Sequence, residues 1–524
     1  MDREPKLGGL DERPLSSKIF RGSLFSVLQK VVVGPVYLFI VPFTLARVGT
    51  SGYGTWAVFV TLITLGSLLD MGLGSTVTKY IAEYNRKGDL RAFQKVLDST
   101  IAMYLFIVGC LCFVLWAGSS VLVSGLFHDL APEQISRVTS LWPLLFPIMA
   151  IDLITRPFLC VISGLQRTDL TQILSCVNSL ANALLVVLFL SFGFGIRGLL
   201  LATLASSLLL CISVLMVCRQ LLPTFRVNPL QCEVATLRKI CSFSLALYVG
   251  HTMVMIQNNI EKLLLARFVG VVPVGWYSMA SEGASKFRRF PQLLLNPVLA
   301  AASELHAAAD EEKMRELYFR CHKYMAVMSV PLIVFGALNA NRLVSLWVGP
   351  KLTLVAVPFV VLMIGNFVNQ LGAPAWCITV GRGILRPSVY AALLTSVLNV
   401  GLSLIFIARF GFAGAVVGTS AAMIVSAVYF LKLTRPYVGV PFHLILYRAY
   451  LKPLICSLAA AAVMLLPNLL SHREWVVMLI HVAVFGAIYT AGLLLVRFFD
   501  RFDLAKAEGH IPFVRSVSTI LRTS

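Results

Sequence analysis

The sequence predicts an all-α polytopic membrane protein with about 14 transmembrane helices, arranged as two pseudo-symmetric six-helix lobes plus two extra C-terminal helices. Three observations lead to this prediction. Hydrophobic residues make up 58% of the chain and charged residues 13%, whereas soluble domains contain about 45–50% and about 25%. Apolar stretches of bilayer length cover nearly the whole chain, and the mean hydropathy is +0.85. The sequence pattern also repeats once, at an offset of about 217–221 residues.

The predicted spans follow one another with short connections, so neighbouring helices should run antiparallel. Because a span needs about 20 apolar residues, we place spans at 22–46, 54–76, 98–126, 138–162, 170–192, 198–218, 242–268, 274–303, 324–348, 353–379, 388–408, 412–433, 450–469 and 475–496. The resulting regions are a tail (1–21), an N-lobe (22–218), a linker (219–241), a C-lobe (242–433), a pair of spans (434–497) and a second tail (498–524).

The distribution of Lys and Arg predicts the orientation of the chain. Of the 44 basic residues, 30 fall at the termini and the even-numbered loops and 8 at the odd-numbered loops, when residues near a span end are counted with the adjoining loop, and 6 lie deeper within spans. Cytoplasmic loops carry the excess of Lys and Arg in membrane proteins. Both termini, and the tails and linker, are therefore expected in the cytoplasm. The same bias explains the net charge of +20 without nucleic acid as a partner.

The internal repeat predicts two lobes of the same topology. The matching segments are Pro157–Gly164 with Pro374–Gly381, Gly198–Thr203 with Gly414–Thr419, and Gly54–Trp56 with Gly275–Tyr277. Because the offset covers six spans, the repeat is parallel, with its pseudo-twofold axis along the membrane normal. Transporters built from repeats bind substrate between them and expose it alternately to each side of the membrane.

Three cations in the predicted eighth span are the strongest indication of a functional site in the sequence. If Lys286, Arg288 and Arg289 faced lipid, they would together cost about 8–10 kcal/mol. Glu282 lies one turn before Lys286 and offsets one charge. Two prolines further along the span predict a kink. Two interpretations remain open, namely a cluster that lines a water-filled cavity and a cluster at the outer interface.

The predicted seventh span carries a polar stripe formed by His251, Gln257, Asn258, Glu261 and Lys262. Such a stripe faces either a cavity or a hydrogen-bonded partner helix. His251 is a candidate proton carrier, with an ordinary polar contact as the alternative.

Further charges lie in the first lobe. Lys30 lies in the first span, and Asp70 near the end of the second is expected to be structural. Asp152 and Arg156 are one helical turn apart in the fourth span, so we expect them to form a salt bridge.

The sequence shows no motif for catalysis or for metal binding. We find no nucleophile constellation, no glycine-rich phosphate loop and no metal-ligand spacing, and the longest outer loop has about 11 residues (127–137). The 11 cysteines fall in spans or predicted cytoplasmic loops, so we expect neither disulfides nor a zinc site. The protein is expected not to be an enzyme and to need no cofactor.

Several segments resemble a known family, the Wzx-type oligosaccharide-lipid flippases of the multidrug/oligosaccharidyl-lipid/polysaccharide (MOP, MATE-like) exporter superfamily. They are Val48–Trp56, Leu69–Gly74, Lys79–Glu83, Gly164–Asp169, Phe192–Gly195, Ile260–Gly270 and Leu343–Gly349. The resemblance implies two six-helix lobes around a central cavity, with the last two spans as the extra pair found in many flippases. This chain has Glu261-Lys262 where the family commonly has Asp-Arg.

The resemblance implies transport of a polyprenyl-diphosphate-linked oligosaccharide from the cytoplasmic to the outer leaflet of a bacterial inner membrane, for O-antigen, capsule or exopolysaccharide synthesis. A cationic cavity suits a diphosphate because Arg pairs with phosphate oxygens. A polysaccharide polymerase and a chain-length regulator are candidate partners besides membrane lipid, and we expect a monomer. The alternatives are a MATE-type drug/cation antiporter and a non-transporting scaffold of a polysaccharide assembly complex.

The candidate site residues follow from these charges. The expected substrate-binding cations are Lys30, Arg156, Lys262, Lys286, Arg288 and Arg289. No nucleotide-binding motif is present, so we expect coupling to a proton or sodium gradient. The candidate coupling residues are Glu261, Glu282, Asp152 and His251.

Overall fold

A computed structural model describes residues 15–70, 72–222, 228–229, 232–292, 294–464, 474–500 and 503. Across these ranges the chain forms helices, short 3₁₀ or π turns and loops, without a β-strand. The α-helices are α1 (Leu15–Gly66), α2 (Leu73–Lys87), α3 (Leu90–Ala117), α4 (Ser119–Leu126), α5 (Pro132–Leu141), α6 (Leu145–Gly164), α7 (Thr168–Ser191), α8 (Gly195–Leu221), α9 (Val234–Phe268), α10 (Val271–Gln292), α11 (Leu295–Ala307), α12 (Glu311–Leu338), α13 (Ala340–Val348), α14 (Ala356–Gln370), α15 (Ala373–Gly381), α16 (Arg386–Val438), α17 (Phe442–Ile445), α18 (Leu451–Met464) and α19 (Glu474–Leu495).

Ten helical stretches in the described part of the chain are long and apolar enough to cross a membrane, which confirms the predicted all-α polytopic class. They are Val32–Asp70, Arg91–Ala117, Pro132–Gly164, Thr168–Ser191, Gly195–Leu221, Glu311–Leu338, Pro350–Gly381, Arg386–Val438, Phe442–Met464 and Glu474–Leu495. The first is interrupted at Gly49 (φ 72°) and the eighth at Gly411 (φ 55°), conformations that glycine adopts without a Cβ penalty. Both breaks lie between two predicted spans.

The described residues group into two compact units. The first comprises Met1–Met279 with Ala392–Ala422, and the second comprises Ala280–Ala391 with Met423–Ser524. The predicted lobes and linker divide the chain differently, and they stay a prediction. Within the predicted linker, α8 extends to Leu221 and α9 begins at Val234.

The predicted eighth span, 274–303, is two helices. Pro291 lies in the last turn of α10 and Pro297 near the start of α11, so the chain leaves the helix between the two prolines. The start of α10 is capped from a distant loop, because the Val271 amide donates to Asp129 Oδ2 at 3.0 Å. The three cations expected near the middle of a continuous span therefore lie in the last two turns of α10. The carbonyl end of a helix is favourable for positive charge.

Two glycines of the internal repeat touch each other in the first unit. A methyl group on Gly275 would come within 3.3 Å of Gly54 Cα, and one on Gly54 would overlap the Val271 carbonyl. These glycines are equivalent at the offset of 221 residues. Only glycine permits α1 and α10 to approach this closely.

In the second unit, the segment after α19 is held against α12 by ion pairs. Asp503 accepts from Lys323, from Arg320 at 3.0 Å and from Tyr324 at 2.6 Å, while Asp500 accepts from Lys323 at 3.3 Å. Burial disfavours ionisation of Asp500, but the Asp503 backbone amide and the charge of Lys323 outweigh it and lower the pKa of Asp500 to about 2. This cluster fixes the end of α19 on α12.

Candidate functional site

A buried carboxylate on α9 is the centre of a polar network in the first unit. Glu261 is 1% exposed and its Oε1 accepts hydrogen bonds from Asn399 Nδ2 at 2.6 Å and Thr419 Oγ1 at 3.0 Å. Tyr277 Oη lies 3.1 Å from Thr419 Oγ1. Among the residues that the structure describes, Glu261 forms no ion pair within 4 Å. A carboxyl group held only by neutral donors is suited to bind and release a cation.

The network is built by the break in α16. Asn399 precedes Gly411 and Thr419 follows it. The two segments on either side of the break therefore each supply one hydrogen-bond donor to Glu261. Tyr277 adds a side chain from the first half of α10. The network around Glu261 on α9 thus draws on both segments of α16 and on α10.

Asn399 carries an unused acceptor. The side chain is fully buried, and its Oδ1 has no hydrogen-bond partner among the described residues. The oxygen and nitrogen of an amide are assigned from the hydrogen-bond network. Rotating the amide by half a turn would aim Oδ1 at Glu261, where it would accept from a protonated carboxyl or join it around a small cation. Rotation of this amide alone would therefore convert the site from one that stabilises a carboxylate to one that accepts a protonated or cation-bound carboxyl.

The expected salt bridge between Asp152 and Arg156 is not formed. Asp152 instead accepts a hydrogen bond from Ser207 on α8, with 2.7 Å between Oγ and Oδ1. The two helices pack closely, so the nearest strong donor for the carboxylate is across the α6–α8 contact. In the same unit Tyr104 donates to Asp70, which is buried.

The cations of α10 do not share one face. Lys286 and Arg289 are about 60° apart around the helix, whereas Arg288 is about 160° from Lys286. Lys286 is half-buried and Arg289 is exposed. Glu282, one turn before Lys286, lies on the same face. This face therefore presents two cations and one carboxylate.

Arg288 points into the packing of the second unit. It lines a cavity of about 10 Å³ with Ser329 of α12 and with Asn366 and Gln370 of α14. Its Nε is buried and makes no hydrogen bond with a described residue, and its carbonyl accepts from Gln370 at 3.4 Å. A cavity of this size holds about one water molecule. A diphosphate does not fit there in this conformation.

The structure places the other predicted site residues as follows. Arg156 on α6 and Lys262 on α9 are half-buried. The side chains of Lys30 and His251 lie outside the described residues. The first unit contains Arg156, Asp152, Glu261 and Lys262, and the second contains Glu282 and the three cations of α10.

Sequence reasoning missed three members of the Glu261 network, namely Asn399, Thr419 and Tyr277. Two of them carried a signal, because Thr419 and Tyr277 each end a segment matched by the internal repeat. Asn399 stood out only as an amide within an apolar span. In the described residues no group of three or more His, Cys, Asp or Glu side chains is arranged to hold a metal ion.

Known proteins with a similar fold are membrane transporters. The structure superposes on the lipid II flippase MurJ in an inward closed conformation with a TM-score of 0.68, at 16% identity, covering 92% of this chain and 98% of that one. It matches an inward-facing multidrug resistance MATE family transporter of the MOP superfamily with a TM-score of 0.65, at 14% identity, covering 79% and 98%. At these identities the likeness shows the fold alone, which is MurJ/MATE-like.

Sequence comparison identifies the family. The chain is 20% identical over 392 residues to a protein of Shigella flexneri named "Putative O-antigen transporter", covering 73% of this chain and 90% of that one. The family model described as "Polysaccharide biosynthesis protein" matches residues 44–356, more than half of the chain. The chain therefore belongs to the polysaccharide biosynthesis protein family and has the fold of MOP-superfamily transporters.

Proposed function

We propose that this protein flips a polyprenyl-diphosphate-linked oligosaccharide from the cytoplasmic to the outer leaflet of a bacterial inner membrane. Family membership, the MOP-superfamily fold and the O-antigen transporter relative support this proposal. It is a transporter and not an enzyme, and it supplies a cell-surface polysaccharide pathway. A polysaccharide polymerase and a chain-length regulator are its candidate partners, and we propose that it acts as a monomer.

We infer fourteen spans with both termini in the cytoplasm. Val32–Asp70 and Arg386–Val438 are each too long for one crossing of an apolar layer about 30 Å thick, and each has a glycine break. The charged helices α9 and α10 add two spans to the count. Cysteine labelling in a cysteine-free background tests the map: Glu133→Cys should react from outside intact cells and Glu312→Cys should not. Reaction of Glu312→Cys from outside would contradict it.

We infer a pseudo-twofold relation between the two predicted lobes. The contact between Gly54 and Gly275 supports it, because residues equivalent under a twofold axis meet each other only where the axis passes between them. Lobes related in this way can rock about that contact and expose a cavity to each side in turn.

We assign diphosphate binding to the face of α10 that carries Lys286 and Arg289. This face carries two cations and the carboxylate of Glu282, and both Lys and Arg form charge-assisted hydrogen bonds with phosphate oxygens. Arg288 supports this face from inside the second unit, where its buried Nε lies beside α12 and α14. Lys30, Arg156 and Lys262 remain the other cations proposed to line the cavity.

The Glu261 network is the observation that supports coupling of transport to an ion gradient. A buried carboxylate held by neutral donors is costly as an isolated ion, so we propose that it exchanges a proton or sodium ion during each cycle. Among the candidates Glu261, Glu282, Asp152 and His251, we therefore propose Glu261 as the coupling residue. The charge of the neighbouring Lys262 also acts on this carboxylate.

Reconstituted vesicles test the proposed function. A fluorescent polyprenyl-diphosphate oligosaccharide is placed in one leaflet, and its arrival in the other is followed by quenching. We expect flipping that depends on the protein and on a proton or sodium gradient. If the vesicles instead accumulate an organic cation and leave the lipid-linked sugar in place, the protein is a MATE-type antiporter. If neither moves, it is a scaffold.

A further inference from the structure

A cationic pocket lies in the second unit and shares no lining residue with the Glu261 network or with the cations of α10. Its volume is about 290 Å³. It is bounded by Tyr318 of α12, the last three turns of α16, the connection at 439–441 and α17. This volume is near the lower limit of small-molecule sites, about 300 Å³. It suits a headgroup and the start of its chains rather than a whole lipid.

The charge at the pocket is entirely positive. Lys432, Arg435 and His443 line it, and no Asp or Glu does. Arg315 of α12 lies beside it, with its Nε 3.0 Å from the position of a Cβ on Gly439. None of these four side chains forms an ion pair with another residue that the structure describes. The carbonyl end of α16 stabilises the positive charge of Arg435. Lys432 lies almost one turn earlier and His443 lies beyond the helix, so this end of α16 does not account for their charges.

Apart from Tyr318 and Thr434, the rest of the lining is apolar. Val428 and Leu431 form an apolar wall that continues along α16 from the basic residues, while Val438, Val440 and Phe442 lie at the basic end. Val428 is exposed, so this wall is open to the surroundings of the helix. The pocket thus has one basic end and one apolar side.

The pocket also lies at the ends of two membrane-capable helices, where lipid headgroups are expected. One membrane-capable helix ends at Val438 and the next begins at Phe442, and the pocket is formed at this junction. Gly439 makes the turn with φ 69°. The basic end is therefore at the boundary of the apolar layer, and the apolar wall extends into it.

We propose that this pocket binds an anionic membrane phospholipid, with the phosphate between Lys432 and Arg435 and an acyl chain along Val428 and Leu431. Basic pockets between transmembrane helices recognise anionic lipid headgroups in this way. Charge complementarity and the junction position favour a resident lipid over a soluble anion, because a soluble anion makes no use of the apolar wall. The inference does not depend on which side of the membrane the pocket faces.

Native mass spectrometry of the purified full-length protein tests the site. Phosphatidylglycerol and phosphatidylcholine are titrated separately, and the affinity of the first retained lipid is measured. We expect tighter retention of phosphatidylglycerol. Lys432→Gln and Arg435→Gln should each weaken it about fivefold, the equivalent of ~1 kcal/mol per basic residue, and the double variant about 25-fold.

A matched control separates the pocket from general surface charge. Arg219 is exposed in the last turn of α8, as Arg435 is in α16, and Arg238 is exposed on α9. The Arg219→Gln/Arg238→Gln variant removes the same charge and should change phosphatidylglycerol affinity less than twofold. Val428→Trp keeps every charge but fills the apolar side, and it should also weaken binding.

Four outcomes would overturn the proposal. They are equal affinity for the two phospholipids, an equal loss in the control variant, full affinity in Val428→Trp, and displacement of phosphatidylglycerol by pyrophosphate at matching concentration. The last would indicate a site for a soluble anion. Displacement by polyprenyl diphosphate but not by pyrophosphate would indicate a substrate entry site and would equally contradict a resident phospholipid.

Discussion

Replacing Glu261 by Gln tests the coupling mechanism most directly. Gln has nearly the same shape, and its Oε1 can still accept from Asn399 and Thr419, which lie 2.6 and 3.0 Å from the native oxygen. The substitution therefore preserves the hydrogen bonds and removes only the ability to ionise. We expect the variant to fold, insert and flip its substrate without responding to an ion gradient.

The expected magnitude follows from the number of carboxylates. The network has one carboxyl group, Glu261, so each cycle carries at most one monovalent cation. A tenfold gradient of that cation is worth ~1.4 kcal/mol. At zero membrane potential it should shift the ratio of substrate between the leaflets up to about tenfold in the wild type. In Glu261→Gln the ratio should stay at one.

The assay uses vesicles with the potential clamped and either a pH step of one unit or a tenfold sodium gradient. The gradient that produces the shift identifies the ion. Glu233→Gln is the matched control, because Glu233 immediately precedes the same helix, contacts Lys95 at 3.4 Å and Thr236 at 2.8 Å, and lies outside the network. Its vesicles should behave as wild type.

A tenfold shift that persists in Glu261→Gln would refute the reasoning, and Glu282→Gln would then be the next variant to examine. A wild type that ignores both gradients would show that export is driven by consumption of the product outside.

The remaining predictions address substrate binding, the helix crossing and acid stability. Lys286→Gln/Arg289→Gln removes two charged contacts of ~1.5–3 kcal/mol each and should slow export at least about 100-fold, whereas Arg288→Gln should slow it less than about tenfold; equal defects would contradict the division of the two faces. Gly54→Ala should lower the thermal unfolding temperature and export together, because the added methyl overlaps the Val271 carbonyl; Gly109→Ala, with open space around it, is the control. Asp503→Asn breaks an almost fully buried pair with Lys323 and should cost ~3–5 kcal/mol of unfolding free energy in detergent. The pKa of Asp500 is lowered to about 2, so its contribution to stability is complete above about pH 4 and is lost as the pH falls towards 2; Asp500→Asn should flatten the thermal stability profile between these values, and an unchanged profile would contradict the ion pair.

The sequence by itself determined the class of protein, because bilayer length and apolar composition constrain every span independently of its neighbours. It also located the breaks at Gly49 and Gly411, since both fall between apolar runs. The resemblance carried by short glycine and aromatic segments agreed with the family shown by comparison.

Only the tertiary structure decided which charges meet. The i,i+4 spacing of Asp152 and Arg156 predicted a salt bridge, but helix packing gave the carboxylate a closer donor in Ser207. Sequence adjacency grouped Arg288 with Arg289, whereas helix geometry and the packing of α12 and α14 separated them. Asn399 and Thr419 reach Glu261 from more than 130 residues away. Periodicity describes one helix at a time, and such contacts depend on how several helices pack.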